Sequence, residues 1–255
     1  MVQRRIRDAI SAAFDALGYE VRRKQPARWG DDAYRDQQRL LEGSSVKLVF
    51  DVGANVGDTV HRYRTLFPAA TIHAFEPFPD VHRRLAERFA ADPHVRTHDR
   101  AVTDAAGTRR LYVNDVNVTN SLLPLNPASA AWAGASDQGL DRTVEVGAVT
   151  LDQFCTGEGL TRIDLLKMDI QGGEGMALEG ATGLLAQRAV RLIYLEVEFA
   201  PLYEGQAYFC DVTAILNRHG YQLFGLYNLM HGERGLGWGD AIFRPSGTIR
   251  PSDSP

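Results

Sequence analysis

Four acidic residues stand in or at the end of short apolar runs, where a buried strand would give way to a loop. They are Asp51, Glu76, Asp169 and Glu198. A carboxylate in such a place can accept hydrogen bonds from hydroxyl groups, pair with a cationic ligand, or take a proton from a nucleophile. Acids at strand ends are also often only solvated, so each needs support from its neighbours in the sequence.

Asp51 lies in residues 47–59, where an apolar run leads into Gly53, three further residues and Gly57, and then into a helical pattern. This pattern predicts a buried parallel strand, a glycine turn and a helix. Glycine has no Cβ and a helix start has free N–H groups, so a ligand can approach the backbone closely there. The candidate contacts of this turn are Gly53, Ala54, Asn55, Gly57 and Thr59.

The residue at position 51 indicates which ligand the turn binds. Dinucleotide sites use Gly-x-Gly-x-x-Gly, and here Asp51 occupies the first glycine position. A carboxylate there repels a pyrophosphate and suits an ammonium group. This argues against an oxidoreductase that binds NAD or a nucleotide sugar, and it predicts S-adenosylmethionine as the cofactor.

Residues 71–77 form a second apolar run that ends in Glu76 and Pro77. Glu76 follows the glycine turn by about 20 residues, the distance at which nucleoside-binding folds place the acid that accepts from the ribose hydroxyls. Taken alone, a glycine turn is often only a turn, and an acid is often only a surface acid. In this order and at this spacing, the two together predict a nucleoside site that includes Pro77.

With these and three further motifs, the sequence resembles the FkbM-type group of class I S-adenosylmethionine-dependent methyltransferases. The resemblance spans roughly residues 46–245 and rests on several motifs in one order, which is more specific than any single motif. The motifs lie at residues 50–57, 74–77, 150–154, 164–172 and 178–181.

The resemblance implies an α/β fold with a Rossmann-like, doubly wound sheet of seven mostly parallel strands in residues 46–245. Residues 1–45 are predicted to be an N-terminal helical extension or cap, and residues 246–255 a loose tail. Residues 108–149 interrupt the alternation of strands and helices, and predict a β-hairpin with a flap at 114–142. The hairpin strands are predicted around 111–113 and 143–146, and the later sheet strands at 95–102, 163–169, 190–198, 221–227 and 240–243.

The resemblance also implies that the loop after the third strand contacts the adenine ring, which makes Asp99, Arg100 and Ala101 candidate cofactor contacts. Without the resemblance, Asp99 would be interpreted as a surface acid.

The fourth strand carries Lys167 and Asp169, which are two residues apart and therefore share a face of the sheet. We expect Asp169 to lie near the transferable methyl group, as a cofactor contact and as the catalytic base or a group that orients the acceptor. Lys167 would be its polar support. The alternative is a structural ion pair that only shapes the pocket.

The fifth strand ends in Glu196 and Glu198, which we expect to point to opposite faces, so that one of them faces the pocket as a second catalytic acid. Two departures from the family pattern weaken the choice of base. Gln171 stands where the family has an acid, and no histidine lies near Glu198.

The predicted function is S-adenosylmethionine-dependent O-methylation of a small molecule, either a sugar or glycan or a polyketide-type natural product. One alternative is a metal-assisted reaction in which Asp169, Glu196 and Glu198 bind magnesium, although their spacing does not require an ion. The other is a non-catalytic module that binds S-adenosylmethionine or a nucleotide.

The composition and the pattern of apolar residues narrow the expected partners and location of the protein. The net charge of −4 does not favour a nucleic-acid partner. No apolar run is long enough to span a bilayer and the N-terminus has no hydrophobic signal core, which predicts a cytoplasmic protein without a membrane partner. Cys155 and Cys210 have no metal or redox spacing and are expected to stay reduced. An amphipathic stripe in residues 1–24 favours packing on the domain or on a second subunit, so a homodimer is expected.

Overall fold

The computed structural model describes residue 14 and residues 28–43, 45–114, 119–129, 132 and 142–247. Its contacts divide the chain into two compact units, Met1–Asp31 and Asp32–Pro255. The boundary expected from the sequence lay at residue 45. Most of the amphipathic stripe in residues 1–24, residues 248–255 of the tail and much of the flap lie outside the described residues.

The larger unit is built on a seven-stranded sheet with the order β3-β2-β1-β7-β8-β10-β9. Five neighbouring strands, β3 to β8 in this order, are parallel, and β10 runs antiparallel to both of its neighbours. The predicted doubly wound α/β fold is therefore confirmed. The strands of this sheet are β1 (Leu48–Val52), β2 (Thr71–Phe75), β3 (Val95–His98), β7 (Leu165–Met168), β8 (Ile193–Glu198), β9 (Tyr221–Gly232) and β10 (Gly235–Pro245).

Both faces of the sheet are covered because its central strands are apolar on both sides. In β1, Val49 and Phe50 are completely buried but belong to two different core clusters, one on each face. Successive residues of a strand point to opposite faces, so a continuous apolar run requires helices on both. The helices are α1 (Ala33–Leu41), α2 (Asp58–Leu66), α3 (Pro79–Phe89), α4 (Leu151–Gly157), α5 (Glu174–Glu179), α6 (Thr182–Ala186) and α7 (Phe209–Arg218).

A second sheet corrects the prediction of a single third strand over 95–102. β3 ends at His98, and Arg100–Val102 forms a separate strand, β4, in a three-stranded sheet with the order β4-β6-β5. Ala101 is buried there in an apolar cluster with residues of β5 (Gly107–Val113) and β6 (Arg142–Val149), which accounts for the change of sheet. The predicted hairpin is confirmed, because β5 and β6 pair antiparallel.

The last two strands are longer than predicted. The sequence indicated 221–227 and 240–243, and the hairpin extends through 228–232 and 235–239 as well. These added residues are largely glycine, polar or exposed, so cross-strand pairing rather than burial extends the strands. Among the described residues, no helix has the length and apolar character needed to cross a membrane.

Candidate active site

A cavity of about 450 Å³ opens at the carboxyl ends of β1, β2, β7 and β8. β1 pairs with β2 on one side and with β7 on the other, so the chain winds away from β1 in both directions. In doubly wound sheets, ligands bind in the crevice at this point. The site therefore lies where the order of the sheet predicts it.

The glycine turn after β1 borders one side of the cavity. Gly53 has a φ of +78°, and a Cβ on it would overlap the backbone carbonyl of Asp169. The N–H groups of Gly53 and Ala54 donate to the carbonyl of Phe75 at 3.0 and 2.9 Å, which ties the turn to the end of β2. Only glycine fits position 53, because the turn needs both a positive φ and a close backbone approach.

Glu76 lies beside this turn and is 8% exposed. Its two carboxylate oxygens accept hydrogen bonds from the backbone N–H groups of Asn55 and Phe78, at 3.1 and 2.9 Å. Burial raises its pKa, and these two hydrogen bonds act in the opposite direction. A carboxylate oxygen has two lone pairs, so each keeps one for a hydroxyl group in the cavity.

Lys167 lies between the turn and the acids of the site. Its Nζ is 2.9 Å from Oδ1 of Asp51 and 2.9 Å from the carbonyl oxygen of Gly53, and 3.8 Å from Oδ2 of Asp169. Burial lowers the pKa of Lys167, but Asp51 and Asp169 more than offset this and leave the pKa above its ordinary value. The predicted proximity of Lys167 and Asp169 is present, and the closer partner is Asp51.

Asp51 is completely buried and does not line the cavity. Burial raises its pKa, and the ammonium of Lys167 lowers it. The sequence suggested a direct contact between Asp51 and a ligand ammonium. In the structure the Asp51 carboxylate instead pairs with the ammonium of Lys167 from β7, which also donates to the carbonyl of Gly53.

Glu196 and Glu198 both line the cavity, so the expectation that they point to opposite faces is wrong. Residues two apart in a strand share a face. Burial, Glu174 and Asp169 raise the pKa of Glu198 to about 9. Burial and then Asp169, Glu198 and further acids hold the pKa of Glu196 well above its ordinary value. This wall of the cavity is therefore rich in acids that resist ionisation.

Gln171 joins the acids of two strands. Its Nε2 donates to Oδ1 of Asp169 at 2.9 Å and to Oε2 of Glu196 at 2.8 Å, and its Oε1 accepts from the hydroxyl of Tyr203 at 2.7 Å. The backbone has a φ of +58°, which turns the side chain back towards the strands. An amide can donate and accept at once, whereas the acid that the family carries here cannot donate when ionised.

Residues 119–129, the longest described part of the predicted flap, contribute several side chains to the lining of the cavity. The hydroxyl of Ser121 donates to the backbone carbonyl of Gln171 at 2.6 Å, and Leu125 forms an isolated β-bridge with Tyr203. The backbone N–H of Asn126 also donates to the carbonyl of Leu202. This segment is thus fixed to the loops that follow β7 and β8.

The remaining predicted residues divide into two groups. Those that line the cavity are Ala54, Asn55, Thr59, Pro77, Arg100 and Ala101. Gly57 and Asp99 do not line it. Gly57 has a φ of +89° and lies at the start of α2, against the ring of Phe89. Asp99 is exposed, and its Oδ1 is 3.9 Å from Nε of Arg100. Asp99 therefore has the surroundings of a surface acid.

Three side chains that line the cavity were not among the predicted site residues: Ser121, Tyr203 and Trp238. Gln171 was noted only as a departure from the family. A serine within a predicted flap and a tryptophan two residues before a strand acid were the available signals, and neither specifies a partner. Among the described residues, no group of three or more His, Cys, Asp or Glu side chains is arranged to bind a metal ion.

Comparison with known proteins gives one family and several relatives. Residues 51–223 match the family model described as the methyltransferase FkbM domain. The chain is 29% identical over 168 residues to the 2-O-methyltransferase NoeI of Sinorhizobium fredii, a match that covers 62% of this chain and 66% of NoeI, just under two thirds. It is also 29% identical over 216 residues to the 31-O-demethyl-FK506 methyltransferase FkbM of Streptomyces tacrolimicus, with 74% and 79% covered.

Solved structures resemble the chain more remotely. The magnesium protoporphyrin IX methyltransferase of Synechocystis PCC 6803, solved with bound SAM, superposes with a TM-score of 0.43. It is 11% identical, and the match covers 94% of this chain and 95% of that one.

Proposed function

Because this chain belongs to the FkbM methyltransferase family, we propose that it transfers the methyl group of S-adenosylmethionine to a hydroxyl group of a small molecule. The names of both curated relatives specify an oxygen as the methylated atom. The acceptor is a sugar or glycan, or a polyketide-type natural product. The observation that carries the proposal is Glu76 beside the glycine turn, because this pair supplies the contacts that a nucleoside with free ribose hydroxyls requires.

The cofactor would lie along the β1 and β2 side of the cavity. Glu76 accepts from the ribose hydroxyls with the lone pairs that its two backbone hydrogen bonds leave free. Arg100 and Ala101, which line the cavity, would hold the adenine end, whereas Asp99 lies outside the lining. The turn at Gly53, whose carbonyl accepts a hydrogen bond from Lys167, would hold the amino acid end. Asp51 keeps Lys167 charged and thereby holds the turn in place.

The acceptor would lie on the β7 and β8 side, facing the methyl group. In the reaction the acceptor oxygen forms a bond to the methyl carbon while the bond from that carbon to sulfur breaks and its electron pair stays on sulfur. The hydroxyl proton goes to a base within hydrogen-bond reach. Asp169 fits this role best, because its side chain is 46% exposed and Gln171 and Lys167 hold it in place. Without a bound cation, Glu198 is protonated at neutral pH and is suited to donate rather than to accept.

The first test is calorimetric titration with S-adenosylhomocysteine. Wild-type protein is expected to bind it with micromolar affinity, and Glu76→Gln to lose about 1–3 kcal/mol, the usual effect of removing a charged hydrogen-bond partner. The control is Glu87→Gln, which removes an exposed acid on α3. Absence of binding by folded wild-type protein would refute the proposed function.

A second test separates an enzyme from a binding module and detects a metal requirement. Protein saturated with S-adenosylmethionine is incubated with hydroxylated acceptors, and mass spectrometry looks for one added CH₂. Product would support the enzyme, whereas cofactor binding without turnover on any acceptor would favour the non-catalytic alternative. Activity lost with a chelator and restored by magnesium would establish the metal-assisted reaction instead.

A further inference from the structure

The β8 end of the cavity contains a buried carboxyl group with an unused acceptor atom. Glu198 is 1% exposed and lines the cavity, and its Oε2 has no hydrogen-bond partner among the described residues. An unpaired polar atom in such a place costs free energy unless a ligand supplies the partner. The atom therefore marks a position where a ligand group would bind.

The charges around Glu198 indicate the sign of that group. Its ionisable neighbours are Glu174 and Asp169, and both oppose its ionisation. Glu196, on the same face of β8, is likewise surrounded by acids. Lys167 is already bound to Asp51 and the Gly53 carbonyl. Oδ2 of Asp169 is 3.8 Å from Nζ of Lys167, and a positive charge bound beside Glu198 would relieve the repulsion that remains among these acids.

An aromatic ring completes the arrangement. Trp238 of β10 lies directly opposite Glu198 of β8 in the antiparallel ladder, so their side chains share a face, and both line the cavity. Tryptophan has the aromatic face that binds cations best. Carboxyl groups beside such a face form a binding site for an organic cation.

The cofactor does not account for this site. Glu198 is on β8, and β7 lies between β8 and β1 in the sheet. Glu198 therefore lies two strand spacings, roughly 10 Å, from the glycine turn. The site thus belongs to the acceptor side of the cavity.

We propose that this end of the cavity binds a protonated amine of the methyl acceptor, between the carboxyl groups of Glu198 and Glu196 and the ring of Trp238. The acceptor is then a hydroxylated amine, such as an amino sugar, and its ammonium group positions the hydroxyl towards Asp169. This inference rests on the proposed methyl transfer and narrows its substrate class.

The test uses protein that calorimetry has first shown to be saturated with S-adenosylhomocysteine, so a failed cofactor site is recognised before the amine is tested. Ligand-observed NMR then measures the affinity of three amines and their neutral analogues. The pairs are glucosamine and glucose, 2-aminocyclohexanol and cyclohexane-1,2-diol, and tyramine and 4-(2-hydroxyethyl)phenol. At least one amine is expected to bind about 10-fold or more tightly than its neutral analogue.

Two variants and one control assign the preference to this site. Glu198→Gln is expected to reduce the preference to about 2-fold or less, and Trp238→Leu to reduce it in part. Glu87→Gln should leave it unchanged. Because Glu198→Gln keeps the size of the side chain and removes a buried ionisable group, it is expected to fold. Trp238→Leu provides a second, independent variant.

Three outcomes would overturn the inference while leaving the proposed function intact. The first is that no amine binds more tightly than its neutral analogue. The second is that Glu198→Gln weakens binding of S-adenosylmethionine more than that of S-adenosylhomocysteine, which would assign Glu198 to the sulfonium. The third is that magnesium chloride displaces the amines from wild-type protein and not from Glu198→Gln, which would make this a metal site.

Discussion

The two sides of the cavity are built in different ways. The cofactor side, at the ends of β1 and β2, consists mainly of backbone: a glycine turn, its N–H groups and one acid that is itself held by two backbone N–H groups. The acceptor side consists of side chains from segments far apart in the chain, joined through Gln171. The cofactor side depends on conformation and the acceptor side on side-chain identity, so substitutions should affect the two sides differently.

The largest expected effect tests the backbone side. Gly53→Ala introduces a Cβ into the Asp169 carbonyl at a positive φ. We expect it to abolish measurable binding of S-adenosylhomocysteine in calorimetry and to lower the free energy of unfolding by about 3 kcal/mol or more. The matched control is Gly159→Ala, which has a φ of +67° but no atom within 4 Å of its Cβ, and should cost only about 1 kcal/mol. Equal effects of the two substitutions would show that close contact with the Asp169 carbonyl does not explain the need for glycine at position 53.

The next effect tests the side-chain side. Gln171→Met keeps the size of the side chain and removes its three hydrogen bonds. We expect kcat to fall by about 100-fold, the usual scale of a misplaced catalytic group, while the affinity for S-adenosylhomocysteine changes by less than about 3-fold. Gln153→Met, at an exposed position on α4, is the control. A comparable loss of cofactor affinity would mean that the two sides are not separate.

A smaller effect separates the role of the tyrosine from that of the two acids that contact the Gln171 side chain. Tyr203→Phe removes the hydroxyl that donates to Oε1 of Gln171 at 2.7 Å and makes a longer contact of 3.5 Å with the carbonyl of Thr119, and it leaves the two bonds from Gln171 to the acids. We expect kcat/KM for the acceptor to fall about 5- to 10-fold, in line with one buried hydrogen bond. Steady-state kinetics with both substrates varied would check this. An unchanged value would assign the tyrosine to packing alone.

The smallest effect concerns pH. The pKa of Glu198, ordinarily 4.5, is raised to about 9 by burial, Glu174 and Asp169. Between these values the folded protein keeps a proton that the unfolded chain has lost, so the stability linked to this group is full below about pH 4.5 and declines towards pH 9. Glutamine does not titrate. The Tm of Glu198→Gln is therefore expected to rise relative to that of wild type by roughly 5 °C from pH 5 to pH 6.5 in the ligand-free protein.

Scanning calorimetry at both pH values checks this prediction, with Glu87→Gln as the reference. A Tm difference between Glu198→Gln and wild type that is the same at both pH values would show that the Glu198 carboxyl group is solvated.

The same contrast explains what the sequence could predict. The turn at Gly53 and the acid at Glu76 follow consecutive strands and are joined by backbone hydrogen bonds. Their spacing in the sequence was therefore enough to predict that they lie together. The role of Gln171 could not be read in this way. It depends on a positive φ and on partners 50 residues before it and 32 residues after it.

Two further differences have simple physical causes. Asp51 was predicted to contact the ligand, but it does not line the cavity. Its carboxylate pairs inside the protein with Lys167, from a strand more than a hundred residues later. The single third strand was divided because Ala101 packs in the apolar cluster of the second sheet, where residues 100–102 pair with β6. Both outcomes depend on contacts between distant segments, which local pattern does not encode.

The hydrogen bonds around Gln171 also have a consequence for protein engineering. Ser121 and Tyr203 reach the same residue from the flap and from the loop after β8. A graft that exchanged only one of these segments for that of another enzyme would leave broken hydrogen bonds behind. A graft would have to transfer three segments together: residues 119–125, Gln171 and residues 202–203. The glycine turn of the host protein could be kept unchanged.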